Sequence, residues 1–135
     1  MPFPMQCFLI DDDVDDQEIF YMALKEVNSS ISCVYANDAV QAVEKLKHDL
    51  SFNPQCIFID MNMPRIDGKQ CLRSIKEIDR LTHLPIFMYS TYADAKTIAE
   101  VKQLGATDLI IKPASIPLLV HTLKEIFQRT FNLVN

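Results

Sequence analysis

Short apolar runs that alternate with helical periodicity are the feature that most constrains how this chain folds. Five runs are predicted as strands: Cys7–Ile10, Ile31–Ala36, Cys56–Ile59, Ile86–Tyr89 and Thr107–Ile111. Unbroken apolar runs of this length are typical of parallel strands that helices cover on both faces. We therefore expect each of the five strands to be buried on both sides.

The segments between these runs carry apolar residues at helical spacing. Phe20, Ala23, Leu24 and Val27 follow the i, i+3, i+4, i+7 pattern and predict a helix over Asp15–Val27. Four further helices are predicted: one capped by Asn37 or Asp38, one over Asp67–Ile78, one over Asp94–Leu104 ended by Gly105, and one capped by Ser115. Strands that alternate with helices indicate an α/β fold with right-handed crossovers and a parallel sheet.

Length and charge limit the domain count and the classes of partner. The 135 residues fit one domain, residues 1-135, and 49% hydrophobic content suffices for a packed core. A net charge of -5 argues against DNA or RNA as a partner. The sequence lacks an apolar run near the roughly 20 residues of a membrane helix, so we expect no membrane association. Residues 1–5 lack the basic start of a secretory signal, which favours a cytoplasmic protein.

The four cysteines, Cys7, Cys33, Cys56 and Cys71, form no C-x-x-C pair and have no histidine at metal-binding spacing. Three of them lie inside predicted strands. We interpret them as reduced thiols in the core of a cytoplasmic protein rather than as a zinc site.

Polar and charged side chains follow four of the five predicted strands. They are Asp11 and Asp12 after the first, Asp60 after the third, Ser90 and Thr91 after the fourth, and Lys112 after the fifth. In open α/β sheets, ligands bind beyond the carboxyl ends of the strands. This combination of acids, hydroxyls and one lysine predicts a metal-assisted phosphoryl site.

The chemistry of such a site follows from its charges. Clustered carboxylates repel one another unless a cation joins them, and Mg²⁺ takes one or two carboxylates together with phosphoryl oxygen. Mn²⁺ accepts similar oxygen ligands and can take its place. Asp60 then acts as the nucleophile and forms an aspartyl phosphate, while the metal and Lys112 neutralise its charge. The Ser90 hydroxyl is a donor for a phosphoryl oxygen.

Simpler interpretations of the acidic run are a helix cap or a calcium loop. Taken alone, the run Asp11–Asp13 would be read as a cap; we assign Asp13, Asp15 and Asp16 mainly to capping and solvation. The calcium-loop interpretation fails, because position six is Asp16 rather than glycine and position twelve is Met22 rather than glutamate.

Four motifs resemble one known family in order and spacing. They are Phe8–Asp13, Ile59–Pro64 followed by Asp67 and Gly68, Met88–Thr91, and Ile111–Pro113. Over about residues 5–128, the chain resembles the receiver domains of response regulators in two-component phosphorelays, of the chemotaxis type. That resemblance implies a flavodoxin-like, doubly wound, five-stranded parallel sheet in the order 2-1-3-4-5 with five helices.

The resemblance also implies roles for individual residues. Asp60 is the phosphoacceptor, and Mg²⁺ is held by Asp11, Asp12, Asp60 and the backbone carbonyl of Asn62. Ser90, followed by Thr91, is the switch hydroxyl; Lys112 pairs with the phosphoryl group, and the bond before Pro113 is expected to be cis.

Three positions bear on how such a receiver signals. The family often has Tyr or Phe where this chain has Leu109, so a rotating aromatic cannot report phosphorylation here. Asn62 and Tyr92 occupy positions that flank the attacking water in the family. We expect Tyr92 to shield the phosphoryl group and slow its hydrolysis.

The predicted function is a stand-alone receiver that a sensor histidine kinase or a phosphotransfer protein phosphorylates. No output domain fits in 135 residues. Output is therefore expected by association through the fourth helix, fifth strand and fifth helix, and Leu109 suggests an apolar face suited to a homodimer. A phosphatase of the haloacid-dehalogenase kind and a pseudo-receiver that is never phosphorylated are the alternatives. The first usually has threonine where Asp15 stands, and the second lacks site residues that this chain retains.

Overall fold

The computed structural model describes residues 5–132 and places five parallel strands between two layers of helices. The strands are β1 Met5–Ile10, β2 Ile31–Ala36, β3 Cys56–Asp60, β4 Ile86–Ser90 and β5 Asp108–Ile111. The helices are α1 Val14–Val27, α2 Ala39–His48, α3 Gly68–Lys76, α4 Ala95–Gln103 and α5 Ile116–Phe131. Residues 1–4, on which the expected lack of a secretory signal depends, lie outside the described part.

The sheet has the order β2-β1-β3-β4-β5, which confirms the predicted doubly wound fold. Pairing Ile10 with Ile59 places Asp11 and Asp60, the next residue of each chain segment, side by side. Pairing Ser90 with Ile111 places Lys112 just beyond the same edge. The register alone therefore brings these polar side chains to one end of the sheet.

The core has two parts because helices cover both faces of the sheet. One part packs against α2, α3 and α4 and includes Phe8, Ile57 and Met88. The other packs against α1 and α5 and contains Phe20, Phe58 and Phe127, with ring centroids of Phe20 and Phe58 4.9 Å apart. Every side chain of β3 and β4 is buried, as expected for all five strands.

The expectation of burial on both sides is wrong for the edge strands. Ser32 in β2 is exposed, and Ile111 in β5 is 53% exposed. The sheet places β2 and β5 at its borders, where one flank of each strand has no neighbouring strand. An apolar run therefore does not distinguish an edge strand from a central one.

Most predicted helix limits agree with the structure to within one residue, and α3 is the exception. The helix ends at Lys76 rather than Ile78, because the chain tightens into a 3₁₀ turn over Asp79–Leu81. The Ile78 amide still donates to the Ile75 carbonyl at 3.0 Å, so Ile78 packs against the core as expected. Gly105 has φ +109°, which confirms it as the left-handed residue after α4.

Candidate functional site

The phosphoryl-site candidates Asp11, Asp12 and Asp60 meet at the carboxyl end of the sheet. One carboxylate oxygen from each lies within 4.8 Å of the others. Asp11 and Asp60 are 0% and 3% exposed, whereas Asp12 is exposed. Two buried acids beside a third acid form a concentrated negative charge, and such a charge needs a cation close by.

Local hydrogen bonds hold the buried acids in place. Asp11 Oδ1 accepts from the Asp13 amide at 2.9 Å, and Asp60 Oδ1 accepts from the Asn62 amide at 3.2 Å. The carboxyl group of each therefore folds back onto the loop that follows its own strand. The side chain of Gln17 adds a brace, since it donates to the Asp11 carbonyl at 2.8 Å.

Lys112 supplies the positive charge inside the site. Its Nζ lies 3.3 Å from Asp60 Oδ1 and 3.5 Å from Asp11 Oδ2. The ammonium also stands 5.0 Å from the centre of the Tyr89 ring. The backbone amide of Lys112 donates to the Ser90 carbonyl, which fixes the residue to the end of β4. Lys112 thus joins the end of β5 to Asp11, which follows β1, and to Asp60, the last residue of β3.

Burial changes the acidity of these groups. It raises the pKa of Asp11 to about 7, although the Asp13 amide and Lys112 act in the opposite direction. Burial also raises the pKa of Asp60, although the Asn62 amide and Lys112 act to lower it. For Lys112, burial by itself would lower the pKa, but the hydrogen bond to Asp16 and the nearby carboxylates raise it well above its ordinary value.

The donor set of the acidic cluster fits a hard divalent cation. Such ions take oxygen ligands, and Asp11, Asp12 and Asp60 offer three carboxylates within a small space. A dication would also relieve the repulsion between two buried carboxylates whose pKa values are raised. The cluster is therefore a candidate site for a divalent metal ion.

The hydroxyl candidates lie beside the cluster in different surroundings. Ser90 is 4% exposed, and its Oγ donates to the Tyr92 carbonyl at 2.7 Å. Thr91 is exposed, and Tyr92 is 69% exposed. A cleft of about 470 Å³ next to the cluster is lined by Asn62, Ser90 and Tyr92, among others. The Ser90 hydroxyl must leave its backbone acceptor before it can donate to another oxygen.

The acid at position 16 is the site residue that sequence reasoning missed. Asp13 does cap α1, accepting from the amides of Asp15 and Asp16, and Asp15 is exposed as expected. The assignment of Asp16 to capping and solvation is wrong, because its Oδ2 lies 2.6 Å from Lys112 Nζ. Asp16 stands four residues before Phe20, on the buried stripe of α1, and this spacing was the available signal.

Leu109 lies in the core rather than on the surface. It is 9% exposed and packs in the part of the core under α3 and α4. The idea that Leu109 itself makes the signalling face more apolar is therefore wrong. The exposed apolar side chains on that side are Ile111 and Leu118, at 53% and 55%.

The cysteines agree with their interpretation as thiols. All four are free, and Cys7, Cys56 and Cys71 are buried. Cys7 and Cys56 are neighbours across β1 and β3, with their Sγ atoms 3.4 Å apart. Burial raises the pKa of Cys33 and Cys71 to about 12, so these thiols stay protonated near neutral pH.

A doubly wound sheet with an acidic cluster and a lysine at its carboxyl edge defines a class of signalling domains. The chain belongs to the response regulator receiver domain family, which it matches over residues 7–124. None of the helices within residues 5–132 is both long and apolar enough to cross a membrane.

Individual relatives agree with this family. The chain is 28% identical to the chemotaxis protein CheY of Pseudomonas aeruginosa over 93% of its own length and 98% of that protein. It is 33% identical to CheY of Bacillus subtilis over 74% of its length and 82% of that protein. The chain is thus similar to CheY-type chemotaxis receivers.

Solved structures show the same fold. The phosphorylated cyanobacterial phytochrome response regulator RcpA superposes with a TM-score of 0.83 at 24% identity, covering 97% of this chain and 96% of that one. The Mn²⁺-bound response regulator Rcp1 superposes with a TM-score of 0.81 at 20% identity, with 98% of each chain covered.

Proposed function

We propose that this receiver accepts a phosphoryl group on Asp60 from a sensor histidine kinase or a phosphotransfer protein and signals by binding a partner in that state. The observation that carries the proposal is the position of Asp60: its carboxylate lies 3.3 Å from the Lys112 ammonium and beside Asp11 and Asp12. A nucleophile, a cation and a candidate metal site converge there. Membership of the receiver family supports the same conclusion.

The transfer step needs no general base. An Asp60 carboxylate oxygen forms a bond to phosphorus while the bond from phosphorus to the donor histidine nitrogen breaks. The bonding electrons stay on that nitrogen, which then takes a proton from solvent. Lys112 faces the carboxylate and offsets the charge that the phosphoryl oxygens bring. Ser90 becomes a further donor once its hydroxyl turns away from the Tyr92 carbonyl.

Mg²⁺ is the proposed ion, and Mn²⁺ can take its place. Asp11, Asp12 and Asp60 would hold it together with the backbone carbonyl of Asn62. When bound, the ion supplies electrostatic stabilisation of the phosphoryl oxygens.

The proposed output surface is formed by α4, β5 and α5. Ile111 and Leu118 expose apolar side chains there, and contacts between apolar side chains favour protein association. The partner can be an output protein or a second copy of this chain. The net charge of -5 makes DNA an unsuitable partner.

Intact-mass measurement with acetyl phosphate and Mg²⁺ tests the proposed chemistry. We expect wild type to gain one hydroxylamine-labile phosphoryl group and Asp60→Asn to gain none. Asp79→Asn is the matched control, because Asp79 is exposed and lies in the 3₁₀ turn before β4. This turn is at the amino ends of the strands, opposite the candidate site. Labelling of Asp60→Asn to the wild-type level would contradict the assignment.

Partner transfer is tested separately. A phosphorylated histidine phosphotransfer protein should lose its label to wild type and keep it when mixed with Asp60→Asn. Wild type that takes phosphate from neither donor would act as a pseudo-receiver, and release of inorganic phosphate from simple phosphate esters would point to a phosphatase.

A further inference from the structure

The closest carboxylate to the Lys112 ammonium is that of Asp16, not that of the proposed phosphoacceptor. Lys112 Nζ lies 2.6 Å from Asp16 Oδ2, compared with 3.3 Å from Asp60 Oδ1. Charge-assisted hydrogen bonds of that length are among the strong ones in proteins. The ammonium therefore contacts three carboxylates, those of Asp11, Asp16 and Asp60, and lies closest to the one on α1.

Asp16 stands apart from the acids that are candidates for holding a metal. Asp11, Asp12 and Asp60 form that group, and Asp16 is outside it. Its backbone is fixed in the first turn of α1, where its amide donates to Asp13 Oδ1 at 3.3 Å. The Lys112 side chain is 12% exposed and that of Asp16 28%, so water screens the pair only in part.

We propose that Asp16 is a positioning residue that holds the Lys112 ammonium away from the phosphoryl group. This proposal rests on the proposed phosphorylation of Asp60. Lys112 must divide its hydrogen bonds between Asp16 and the phosphoryl oxygens. Asp16 thereby limits how strongly the site holds a phosphoryl group.

Two electrostatic effects of Asp16 both disfavour the phosphorylated form of Asp60. The carboxylate competes for Lys112, which faces Asp60, and its own negative charge repels an incoming phosphoryl anion. Removal of that charge should therefore favour the phosphorylated form. The effect should exceed that of removing an equally charged acid that makes no contact with Lys112.

The chain offers such an acid one position earlier. Asp15 lies in the same first turn, is exposed, and makes no ion pair within residues 5–132. Asp16→Asn and Asp15→Asn change net charge equally, so a comparison of the two separates the contact with Lys112 from a general charge effect.

Beryllofluoride, an analogue of the phosphoryl group, reports affinity at equilibrium in the presence of Mg²⁺. We expect Asp16→Asn to bind it roughly three- to tenfold more tightly than wild type, as the loss of one charged contact allows. Asp15→Asn should match wild type, and Asp16→Glu should return the affinity toward wild type. Acetyl phosphate should label Asp16→Asn faster in the same proportion. An unchanged or weaker affinity in Asp16→Asn would overturn the proposal.

The contact itself is measured by NMR of protein labelled with ¹⁵N-lysine. The Lys112 ammonium signal should exchange faster with water in Asp16→Asn and remain as in wild type in Asp15→Asn. Equal exchange in all three proteins would also overturn the proposal. If wild type is not phosphorylated at Asp60, the proposed function fails instead, and this NMR result still reports on the ion pair.

Discussion

A Cβ atom on Gly68 would lie 2.6 Å from the carbonyl oxygen of Asp60 and 2.7 Å from Met61 Cα. Both contacts are with backbone, which cannot swing aside as a side chain can. The Gly68 amide also donates to the Met61 carbonyl at 3.1 Å. The first residue of α3 thus packs directly on the backbone at the end of β3 and the start of the loop that follows it.

Gly68→Ala should therefore disturb both stability and phosphorylation. We expect a loss of roughly 1–3 kcal/mol in the free energy of unfolding, because the loop must move to admit the methyl group. Labelling of Asp60 by acetyl phosphate should slow as well, since the same shift displaces the carboxylate. Ser74→Ala on the same helix is the control. Urea unfolding and intact mass check both effects, and a variant as stable and as reactive as wild type would disprove the contact.

Stability of the metal-free protein should fall as the pH rises toward neutrality. Burial raises the pKa of Asp11 to about 7, whereas the unfolded carboxyl has a pKa of about 3.9. The folded protein then binds more protons than the unfolded chain between these values. The contribution is fully present below the unfolded pKa and is lost as the pH rises through the folded one.

Thermal melts in the presence of a chelator test this dependence. The melting temperature should be lower near pH 7.5 than near pH 5.5, and millimolar Mg²⁺ should raise it more at the higher pH, where Asp11 is ionised. Asp11→Asn should weaken the dependence. A wild-type curve that is flat, or parallel to that of Asp11→Asn, would contradict the raised pKa.

Tyr92→Ala should shorten the life of the phosphorylated form. The Tyr92 side chain is exposed on the rim of the cleft that Asn62 and Ser90 also line, so its removal opens a path for water. We expect hydrolysis roughly two- to fivefold faster, a change of less than about 1 kcal/mol in the barrier. Tyr92→Phe keeps the ring and should behave as wild type. Equal lifetimes for Tyr92→Ala and wild type would refute a shielding role.

Arg80→Ala should destabilise the fold without touching the site. The Arg80 guanidinium donates to the carbonyls of Leu46 and Phe52 and to Asn53 Oδ1, which ties the 3₁₀ turn to the end of α2 and the loop before β3. Loss of these bonds leaves carbonyls without donors, and we expect about 2 kcal/mol of destabilisation. Arg73→Ala, an exposed change on α3, is the control. Equal urea midpoints for the two variants would show that the Arg80 bonds contribute little.

The sequence predicts the alternation of strands and helices, and it also predicts the main site residues. The apolar runs identified all five strands, and the polar residues just after them identified Asp11, Asp60 and Lys112. These inferences succeed because burial imposes a local pattern on each element, and because parallel strands end at a common edge. Their biochemical roles remain predictions for the experiments above.

The tertiary structure alone decided which side chains touch across long distances in sequence. Asp16 reaches Lys112 over a separation of 96 residues, and Gly68 meets the Asp60 backbone through the angle at which α3 leaves its loop. Leu109 is buried, whereas Ile111, on the same face of β5 two residues later, is exposed at the end of the strand. Such contacts depend on register and helix placement, which packing of the whole molecule determines. A local sequence pattern does not predict these contacts.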